Sequence, residues 1–303
     1  MKVLVTGTSG QLGYDVMMEL KKRGYEGIGA DRSDSDAGFE HVILDITDAK
    51  KVSEVVNEIK PDAIVHCAAW TNVDGAEDPD NRDKVMAVNV EGTRNLAEAA
   101  KAVDAKFMYI STDYVFNGQG ERPWQPDDKD YAPLNVYGES KLNGELAVSE
   151  ILDKYFIVRI AWVFGKNGNN FIKTMLKLSD NHDTLSVVDD QIGSPTYTVD
   201  LARLLVDMSE TDKFGTYNAT NEGYVSWADF AEYIFKVNNK NVLVNHVSTD
   251  EYLEMTGTVQ AYRPRNSRLS KDKLEENGFD RLPSWEDATE RYSLELKEKV
   301  LRR

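Results

Sequence analysis

The first thirteen residues constrain the fold of this chain more than any other stretch. An apolar, β-branched run, Lys2 to Thr6, predicts a buried strand, and Gly7, Gly10 and Gly13 follow it. Apolar side chains then recur at helical spacing. A glycine turn between a first strand and a helix lets backbone approach a pyrophosphate, and the helix N-terminus offers free N–H groups. The stretch predicts a dinucleotide site, with a purely structural turn as the alternative.

Predicted strands and helices alternate at regular intervals along the first half of the chain. This alternation is typical of a parallel, doubly wound sheet, in which ligands lie across the carboxyl ends of the strands. The residues at these predicted strand ends are Gly7, Asp31, Asp45, Ala68 and Thr112. The pattern changes after Gly165. We predict a Rossmann-like α/β fold, with a dinucleotide-binding domain over residues 1–165 and a smaller α/β substrate-binding domain over residues 166–303, parts of which pack back on the first.

Two neighbouring residues give conflicting signals about the cofactor. Asp31 ends the second strand near the spacing expected for a carboxylate on the adenosine ribose, which favours NAD. Arg32 suits the 2′-phosphate of NADP or is part of an ordinary loop. The preference between the two cofactors stays open.

Other strand ends complete the predicted cofactor site. Asp45 and Ile46 suit contacts with the adenine edge, and the small residues after the fourth strand allow close approach of a cofactor or simply tight packing. The predicted cofactor-binding residues are Gly7, Gly10, Gln11, Leu12, Gly13, Asp31, Arg32, Asp45, Ile46, Cys67, Ala68, Ala69, Tyr137 and Lys141.

A tyrosine and a lysine carry the predicted chemistry. Tyr137 and Lys141 are four residues apart in a predicted helix that begins after Pro133, so they share one face. An ammonium beside a phenol favours the phenolate, and we expect Lys141 to lower the pKa of Tyr137. Thr112 at a strand tip would hydrogen-bond a substrate oxygen. The alternative is an ordinary solvated helix pair, since Tyr-x-x-x-Lys is common by chance.

Composition excludes several classes of function. The formal net charge of −16 disfavours nucleic acid and anionic membranes as partners. One cysteine and four scattered histidines give no zinc-ligand spacing. The apolar runs are too short to cross a bilayer, and a strand begins directly after Met1, so we expect a cytoplasmic protein without a signal peptide. Arg263, Arg265 and Arg268 stand out against this acidic background as an anion clamp or a solvated turn.

Several short motifs carry a family resemblance. They are Gly7–Gly13, Ser111–Phe116, Pro133–Gly138, Gly168–Met175, Gln191–Thr196 and Arg263–Leu269. With them the chain resembles the extended short-chain dehydrogenase/reductase family over nearly its whole length. It is similar in particular to the dTDP-4-dehydrorhamnose reductases. The last three motifs lie outside the predicted cofactor half, so they bear on the substrate as well as on the fold.

The resemblance implies roles for individual residues. It makes Thr112, Tyr137 and Lys141 catalytic. The substrate-binding residues that it implies are Thr112, Asp113, Trp162, Arg263 and Asn266. It also implies a sugar-nucleotide substrate and either NADPH or NADH as cofactor. Some members dimerise through magnesium held by carboxylates. Only Asp15 matches those carboxylates here, so we assign no metal-ligand residues. Magnesium stays a candidate cofactor, and a homodimer stays a candidate assembly.

The implied activity is reduction of the C4 keto group of dTDP-4-dehydro-6-deoxy-L-mannose to dTDP-L-rhamnose, with hydride from the nicotinamide and a proton from Tyr137. One alternative is another sugar-nucleotide epimerase, reductase or dehydratase of the superfamily. Dehydratases typically carry Asp-Glu after the catalytic threonine, whereas Tyr114 follows Asp113 here. The other alternative is a non-catalytic regulatory subunit resembling that of methionine adenosyltransferase.

Overall fold

The structure is a computed structural model that describes residues 1–33 and 38–301. The strands are β1 (Lys2–Thr6), β2 (Glu26–Asp31), β3 (His41–Ile43), β4 (Ala63–His66), β5 (Lys106–Thr112), β6 (Tyr155–Ile160), β7 (Val163–Phe164), β8 (Thr184–Val188), β9 (Ile192–Gly193), β10 (Thr196–Tyr197), β11 (Gly215–Asn218), β12 (Val225–Ser226) and β13 (Leu243–Val247). The α-helices are α1 (Gln11–Lys22), α2 (Ala49–Ile59), α3 (Val73–Ala76), α4 (Pro79–Met86), α5 (Gly92–Ala102), α6 (Val136–Ile151), α7 (Phe171–Leu178), α8 (Thr198–Ser209), α9 (Trp227–Val237), α10 (Thr249–Thr256), α11 (Asp272–Glu276) and α12 (Trp285–Leu301).

The main sheet is parallel throughout, in the order β11-β6-β5-β4-β1-β2-β3. Each return to a parallel neighbour needs a crossover, and the intervening helices supply it. The strand order reverses between β1 and β4, which is where a doubly wound sheet opens a crevice for ligands. The predicted Rossmann-like α/β fold is confirmed.

Strand β1 shows how the sheet separates two cores. Val3 and Val5 point into the core that contains α1 and α8, whereas Leu4 points into the opposite core with α2 and α5. All three side chains have no exposed surface. Burial of such a side chain contributes about 1.5–3 kcal/mol. A strand buried on both faces reads as a continuous apolar run, which is why β1 was predictable.

The second half of the chain contributes to both regions. Helix α8 packs on α1, and β11 pairs with β6 at the edge of the main sheet. A separate aromatic core, which includes Phe164, Phe230 and Tyr292, lies beneath α7, α9 and α12. The proposed division at residue 165 stays a prediction. No helix among the described residues combines the length and apolar character needed to cross a lipid bilayer.

A π-helical segment, Ala87–Glu91, lies between α4 and α5. Such segments widen one helical turn and are frequent at functional sites. Asn89 lies in this segment and is buried. Its side chain accepts a hydrogen bond from the backbone N–H of Trp70 (2.7 Å) and donates one to Ser140 Oγ (2.8 Å). Asn89 therefore faces α6 and the end of the segment after β4.

Candidate active site

A cavity of about 860 Å³ lies at the carboxyl ends of the parallel strands. Nearly all predicted site residues line it. They are Gly7, Gly10, Gln11, Leu12, Gly13, Asp31, Arg32, Asp45, Ile46, Cys67, Ala68, Ala69, Thr112, Asp113, Tyr137, Lys141 and Trp162. Residues far apart in the sequence meet here because parallel strands all end at the same edge of the sheet.

The glycine turn forms one end of the cavity. Gly7 has a φ of +72°, and a Cβ atom there would lie 2.7 Å from the backbone nitrogen of Ala68. A Cβ atom at Gly13 would lie 2.7 Å from the carbonyl carbon of Gly7. No side chain caps the N-terminus of α1, where Gly10 is the N-cap residue. The turn thus presents bare backbone and free N–H groups, an arrangement that fits a pyrophosphate.

The carboxylate of Asp31 is held by a residue that sequence reasoning did not single out. It accepts hydrogen bonds from the backbone N–H (3.0 Å) and the hydroxyl (2.6 Å) of Ser9, and from the N–H of Arg32 (2.8 Å). Arg32 itself is exposed. Asp31 and Arg32 both line the cavity, so the residues fit either a ribose hydroxyl or a 2′-phosphate.

Thr112, Tyr137 and Lys141 converge on the same cavity. Thr112 ends β5, and its hydroxyl donates a hydrogen bond to Asp113 Oδ1 (3.1 Å). Tyr137 is the second residue of α6, and the side chain of Asn135 caps that helix by accepting from the N–H of Gly138 (2.7 Å). The cap fixes where α6 begins, and Lys141 follows one turn after Tyr137.

Burial raises the pKa of Tyr137, and the nearby Asp113 carboxylate raises it further, while an interaction with the Thr112 hydroxyl acts in the opposite direction. The prediction that Lys141 lowers this pKa is therefore wrong for this structure. Desolvation of a buried phenol penalises its charged form, and this effect exceeds the influence of neighbouring groups. Tyr137 is neutral at physiological pH and carries a proton to donate.

Lys141 also responds chiefly to burial. Desolvation lowers its pKa to about 7, and the carboxylate of Glu145 opposes this shift. The Nζ atom lies 4.1 Å from the centre of the Tyr109 ring, a cation–π contact beneath the cavity floor. Because burial disfavours the charged form of Lys141, only a fraction of the protein molecules carry a protonated Lys141 near neutral pH.

Two of the other titratable groups near the site, Cys67 and His66, are respectively a poor nucleophile and a poor base. Burial raises the pKa of the Cys67 thiol to about 12. Burial lowers the pKa of His66 to about 3, and its ring nitrogens contact the hydroxyls of Thr6 (2.8 Å) and Thr93 (3.1 Å). Burial raises the pKa of Asp113 to about 6. The groups suited to proton transfer at the cavity are thus Tyr137, Lys141 and Asp113.

Two predicted substrate residues lie outside the cavity lining. One guanidinium nitrogen of Arg263, Nη2, donates hydrogen bonds to both carboxylate oxygens of Asp74 (3.0 and 2.8 Å). Asn266 is buried, and its side-chain amide donates to the carbonyl of Arg122 (2.9 Å). Arg265 pairs with Asp250 (3.2 Å). The basic stretch is therefore held by acidic neighbours, and whether Arg263 and Asn266 bind substrate stays a prediction.

Sequence reasoning missed the role of Trp227, which also lines the cavity. Its ring stacks on that of Trp162 with 3.6 Å between centroids and 14° between planes. Trp70 lines the cavity as well. The spacing between Trp162 and Trp227 carries no periodic signal, so only the folded chain shows that they meet.

The structure gives no support for magnesium at Asp15. This carboxylate is buried, accepts a hydrogen bond from Thr198 Oγ1 (2.5 Å), and has its pKa raised to about 6 by burial. Among the described residues, the group with metal-ligand proximity is Asp189, Asp229 and His246, whose ligand atoms lie within 4.8 Å of one another. His246 pairs there with Asp189 (3.1 Å), and this surface ion-pair cluster explains why the three side chains lie close together.

Comparisons with known proteins agree with this geometry. The family model described as RmlD substrate binding domain matches residues 1–297. The spore coat polysaccharide biosynthesis protein SpsK of Bacillus subtilis is 37% identical over 291 residues, which cover 96% of each chain. The dTDP-4-dehydrorhamnose reductase of Escherichia coli is 37% identical over 308 residues, or 98% of each chain. The crystal structure of dTDP-4-dehydrorhamnose reductase from Bacillus anthracis in complex with NADP is 43% identical, with a TM-score of 0.89 and coverage of 97% of this chain and 100% of that one.

Proposed function

The chain belongs to the RmlD substrate binding domain family, and on that premise we propose that it reduces the C4 keto group of dTDP-4-dehydro-6-deoxy-L-mannose to give dTDP-L-rhamnose, using NADPH or NADH. The relatives at 35–40% identity that bear the name dTDP-4-dehydrorhamnose reductase support this substrate. The B. anthracis relative bound to NADP supports the cofactor.

One observation carries the proposal. Thr112, Tyr137 and Lys141 line the same cavity as the glycine turn and the uncapped N-terminus of α1. A turn that suits a pyrophosphate and a phenol that keeps its proton are the two parts that a nicotinamide-dependent ketone reduction requires from a protein. Neither part alone distinguishes an enzyme from a nucleotide-binding module.

Tyr137, Thr112 and Lys141 have separate roles in the proposed ketone reduction. A reduced nicotinamide, when bound, supplies the hydride that the keto carbon accepts. Tyr137 donates its hydroxyl proton to the oxygen of the former keto group, which it can do because burial keeps the phenol neutral. Thr112 donates a hydrogen bond to the same oxygen, exchanging Asp113 for the substrate. Lys141, when protonated, holds the cofactor ribose by donating hydrogen bonds to its hydroxyls.

The sugar nucleotide occupies the part of the cavity opposite the glycine turn in this proposal. Asp113 and Trp162 line the cavity, and in this proposal they offer the sugar nucleotide a hydrogen-bond acceptor and an apolar face. Arg263 is a candidate for the diphosphate, provided that it exchanges Asp74 for the phosphate oxygens. The predicted homodimer and cytoplasmic location stay predictions.

A turnover assay tests the proposal. The protein is incubated with NADPH or NADH and dTDP-4-keto-L-rhamnose, the nicotinamide absorbance is followed, and the product is identified. We expect one cofactor oxidised per dTDP-L-rhamnose formed. An epimerase or dehydratase retains its NAD, so it would not consume added NADPH stoichiometrically. A regulatory subunit would show no turnover and would co-purify with a larger catalytic partner; either result would overturn the proposal.

Matched variants test the proton donor. Tyr137→Phe should lower kcat by about two to four orders of magnitude, the usual contribution of a general acid. Tyr114→Phe is the control, because Tyr114 lines the same cavity and meets the Tyr137 ring edge-on at 5.6 Å. If Tyr114→Phe abolishes turnover and Tyr137→Phe does not, the proton comes from the other phenol.

A further inference from the structure

We propose that Trp227 is a positioning residue for the sugar nucleotide, which acts by fixing the indole of Trp162 in the cavity wall. This inference rests on the proposed function, because it concerns how the substrate side of the same cavity is shaped. The effect of Trp227 is on the orientation of Trp162.

The indoles of Trp162 and Trp227 are nearly parallel, with 3.6 Å between ring centroids and 14° between planes. Both rings line the cavity. Trp227 is supported from behind by Phe171, whose ring centroid lies 4.5 Å away. Phe171 in turn stacks on Phe230 at 5.6 Å, which is fully buried. The wall of the cavity is thus connected to the aromatic core, and Trp227 is the link.

A glycine also packs against the Trp162 ring, and we call Gly193 and Trp227 together the Trp162 clamp. A Cβ atom at Gly193 would lie 2.9 Å from Cε2 and 3.0 Å from Cζ2 of Trp162. Any larger residue at this position would displace the indole. Trp162 also has a φ of +50°, a left-handed backbone conformation that residues with a side chain rarely adopt. Such a conformation persists where the surroundings over-determine it, and the Trp162 clamp does so.

The two residues of the Trp162 clamp belong to one structural unit. Gly193 lies in β9 and pairs with Val225 in β12, while Ile192 pairs with Ser226. Ser226 directly precedes Trp227 and caps α9 by accepting a hydrogen bond from the N–H of Asp229 (3.0 Å). The short β9–β12 ladder therefore joins the glycine to the start of the helix that carries Trp227, and both residues reach the ring of Trp162, which follows the end of β6.

This architecture predicts a selective effect on substrate binding. In the proposed function the ring of Trp162 meets the sugar nucleotide, whereas the glycine turn that suits the pyrophosphate lies between β1 and α1. Truncation at Trp227 should raise KM for the sugar nucleotide about tenfold, the scale of one well-placed aromatic pair. The Kd for NADPH should stay within about twofold. A merely structural role for Trp227 would weaken both ligands together and lower the melting temperature.

The experiment compares Trp227→Ala, Trp227→Phe and the control Trp285→Phe. Trp285 is buried in the same aromatic core but does not line the cavity. Steady-state kinetics give KM and kcat, calorimetry gives Kd for NADPH and for dTDP-L-rhamnose, and far-ultraviolet circular dichroism reports the exciton couplet of the stacked indoles. We expect both Trp227 variants to lose the couplet. Trp227→Phe should keep most of the affinity for the sugar nucleotide because a phenyl ring still supports Trp162. Trp285→Phe should change neither the couplet nor KM for the sugar nucleotide.

The outcomes separate this inference from the proposed function. If the unchanged protein neither turns over the ketosugar nor binds dTDP-L-rhamnose, the proposed function fails and the substrate role falls with it. If the unchanged protein is active and Trp227→Ala retains its KM for the sugar nucleotide, the inference alone is overturned. Should Trp227→Ala fold poorly, Trp227→Leu, which keeps bulk but has no aromatic ring to stack on Trp162, decides: an unchanged KM for the sugar nucleotide contradicts the inference, and equal weakening of NADPH and sugar-nucleotide binding does so as well.

Discussion

The ammonium of Lys141 lies 4.1 Å from the centre of the Tyr109 ring, in a buried setting that lowers its pKa to about 7. For a cation, a lowered pKa means that the charged form is present below that pH and is lost above it. The proposed mechanism uses the charged form. The ratio kcat/KM for NADPH reports ionisations of the free enzyme. We therefore expect this ratio to fall about tenfold for each pH unit above about pH 7.

A charge-conserving variant checks the origin of that profile. Arginine stays protonated throughout the range, so Lys141→Arg should remove the inflection near pH 7 even if its absolute rate is lower. The measurement is kcat/KM for NADPH against pH for both proteins. An inflection of the same position and size in Lys141→Arg would show that another group titrates.

The stability of α6 against the sheet depends on a buried ion pair. Glu145 in α6 accepts two hydrogen bonds from the guanidinium of Arg159 in β6 (2.8 and 2.7 Å), and the two side chains are 4% and 1% exposed. Glu145→Ala leaves Arg159 charged and unpaired, so we expect a loss of about 3–5 kcal/mol in the free energy of unfolding. Chemical denaturation measures it.

The same helix offers a control for this prediction. Glu139 pairs with Arg82 at 2.9 Å, but these two side chains are 41% and 48% exposed. Exposed pairs contribute less than about 1 kcal/mol, so Glu139→Ala should be nearly neutral. Comparable losses in the two variants would mean that burial does not decide the strength of the Glu145–Arg159 pair.

The choice between nicotinamide cofactors is testable at Arg32. If this exposed guanidinium binds a 2′-phosphate, Arg32→Ala should raise KM for NADPH by about ten- to a hundredfold, the range for a charge-assisted hydrogen bond, and leave KM for NADH nearly unchanged. Lys60→Ala, which removes a positive charge outside the cavity lining, controls for net charge. Equal effects of Arg32→Ala on both cofactors would remove Arg32 from phosphate recognition.

The ion pair between Arg263 and Asp74 yields a prediction about the substrate diphosphate. If Arg263 must exchange Asp74 for phosphate oxygens, Asp74→Asn frees the guanidinium and should lower KM for the sugar nucleotide by a few-fold, while Arg263→Ala should raise it by about tenfold or more. Steady-state kinetics of both variants supply the comparison. If the two variants shift KM in the same direction, the pair serves to anchor the loop, and Arg263 does not bind the diphosphate.

Much of the fold and of the cofactor half of the site was predictable from the sequence. Buried parallel strands read as continuous apolar runs, and in a doubly wound sheet their polar ends must meet at one edge. Asp31, Asp45 and Thr112 therefore could be assigned to one cavity before any contact was known. A helix predicted to begin after Pro133 and a four-residue spacing likewise brought Tyr137 and Lys141 to the same face.

The missed features depend on packing that local patterns do not record. Trp227 meets Trp162 only because a short β9–β12 ladder joins distant segments. The direction of the Tyr137 pKa shift depends on how completely the phenol is desolvated, and residue spacing says nothing about that. Arg263 was recognised as a basic residue in an acidic chain, but its partner, Asp74, lies 189 residues away.

Transfer of isotope from the cofactor to the sugar tests the central claim most directly. The protein is incubated with dTDP-4-keto-L-rhamnose and NADPH that carries deuterium at the transferable position of the nicotinamide, and the product is analysed by mass spectrometry and proton NMR. The account predicts dTDP-L-rhamnose with one deuterium at C4, formed in proportion to the cofactor oxidised. Product without deuterium, or with deuterium at any other carbon, would contradict hydride delivery to the keto carbon in the cavity that Thr112, Tyr137 and Lys141 share.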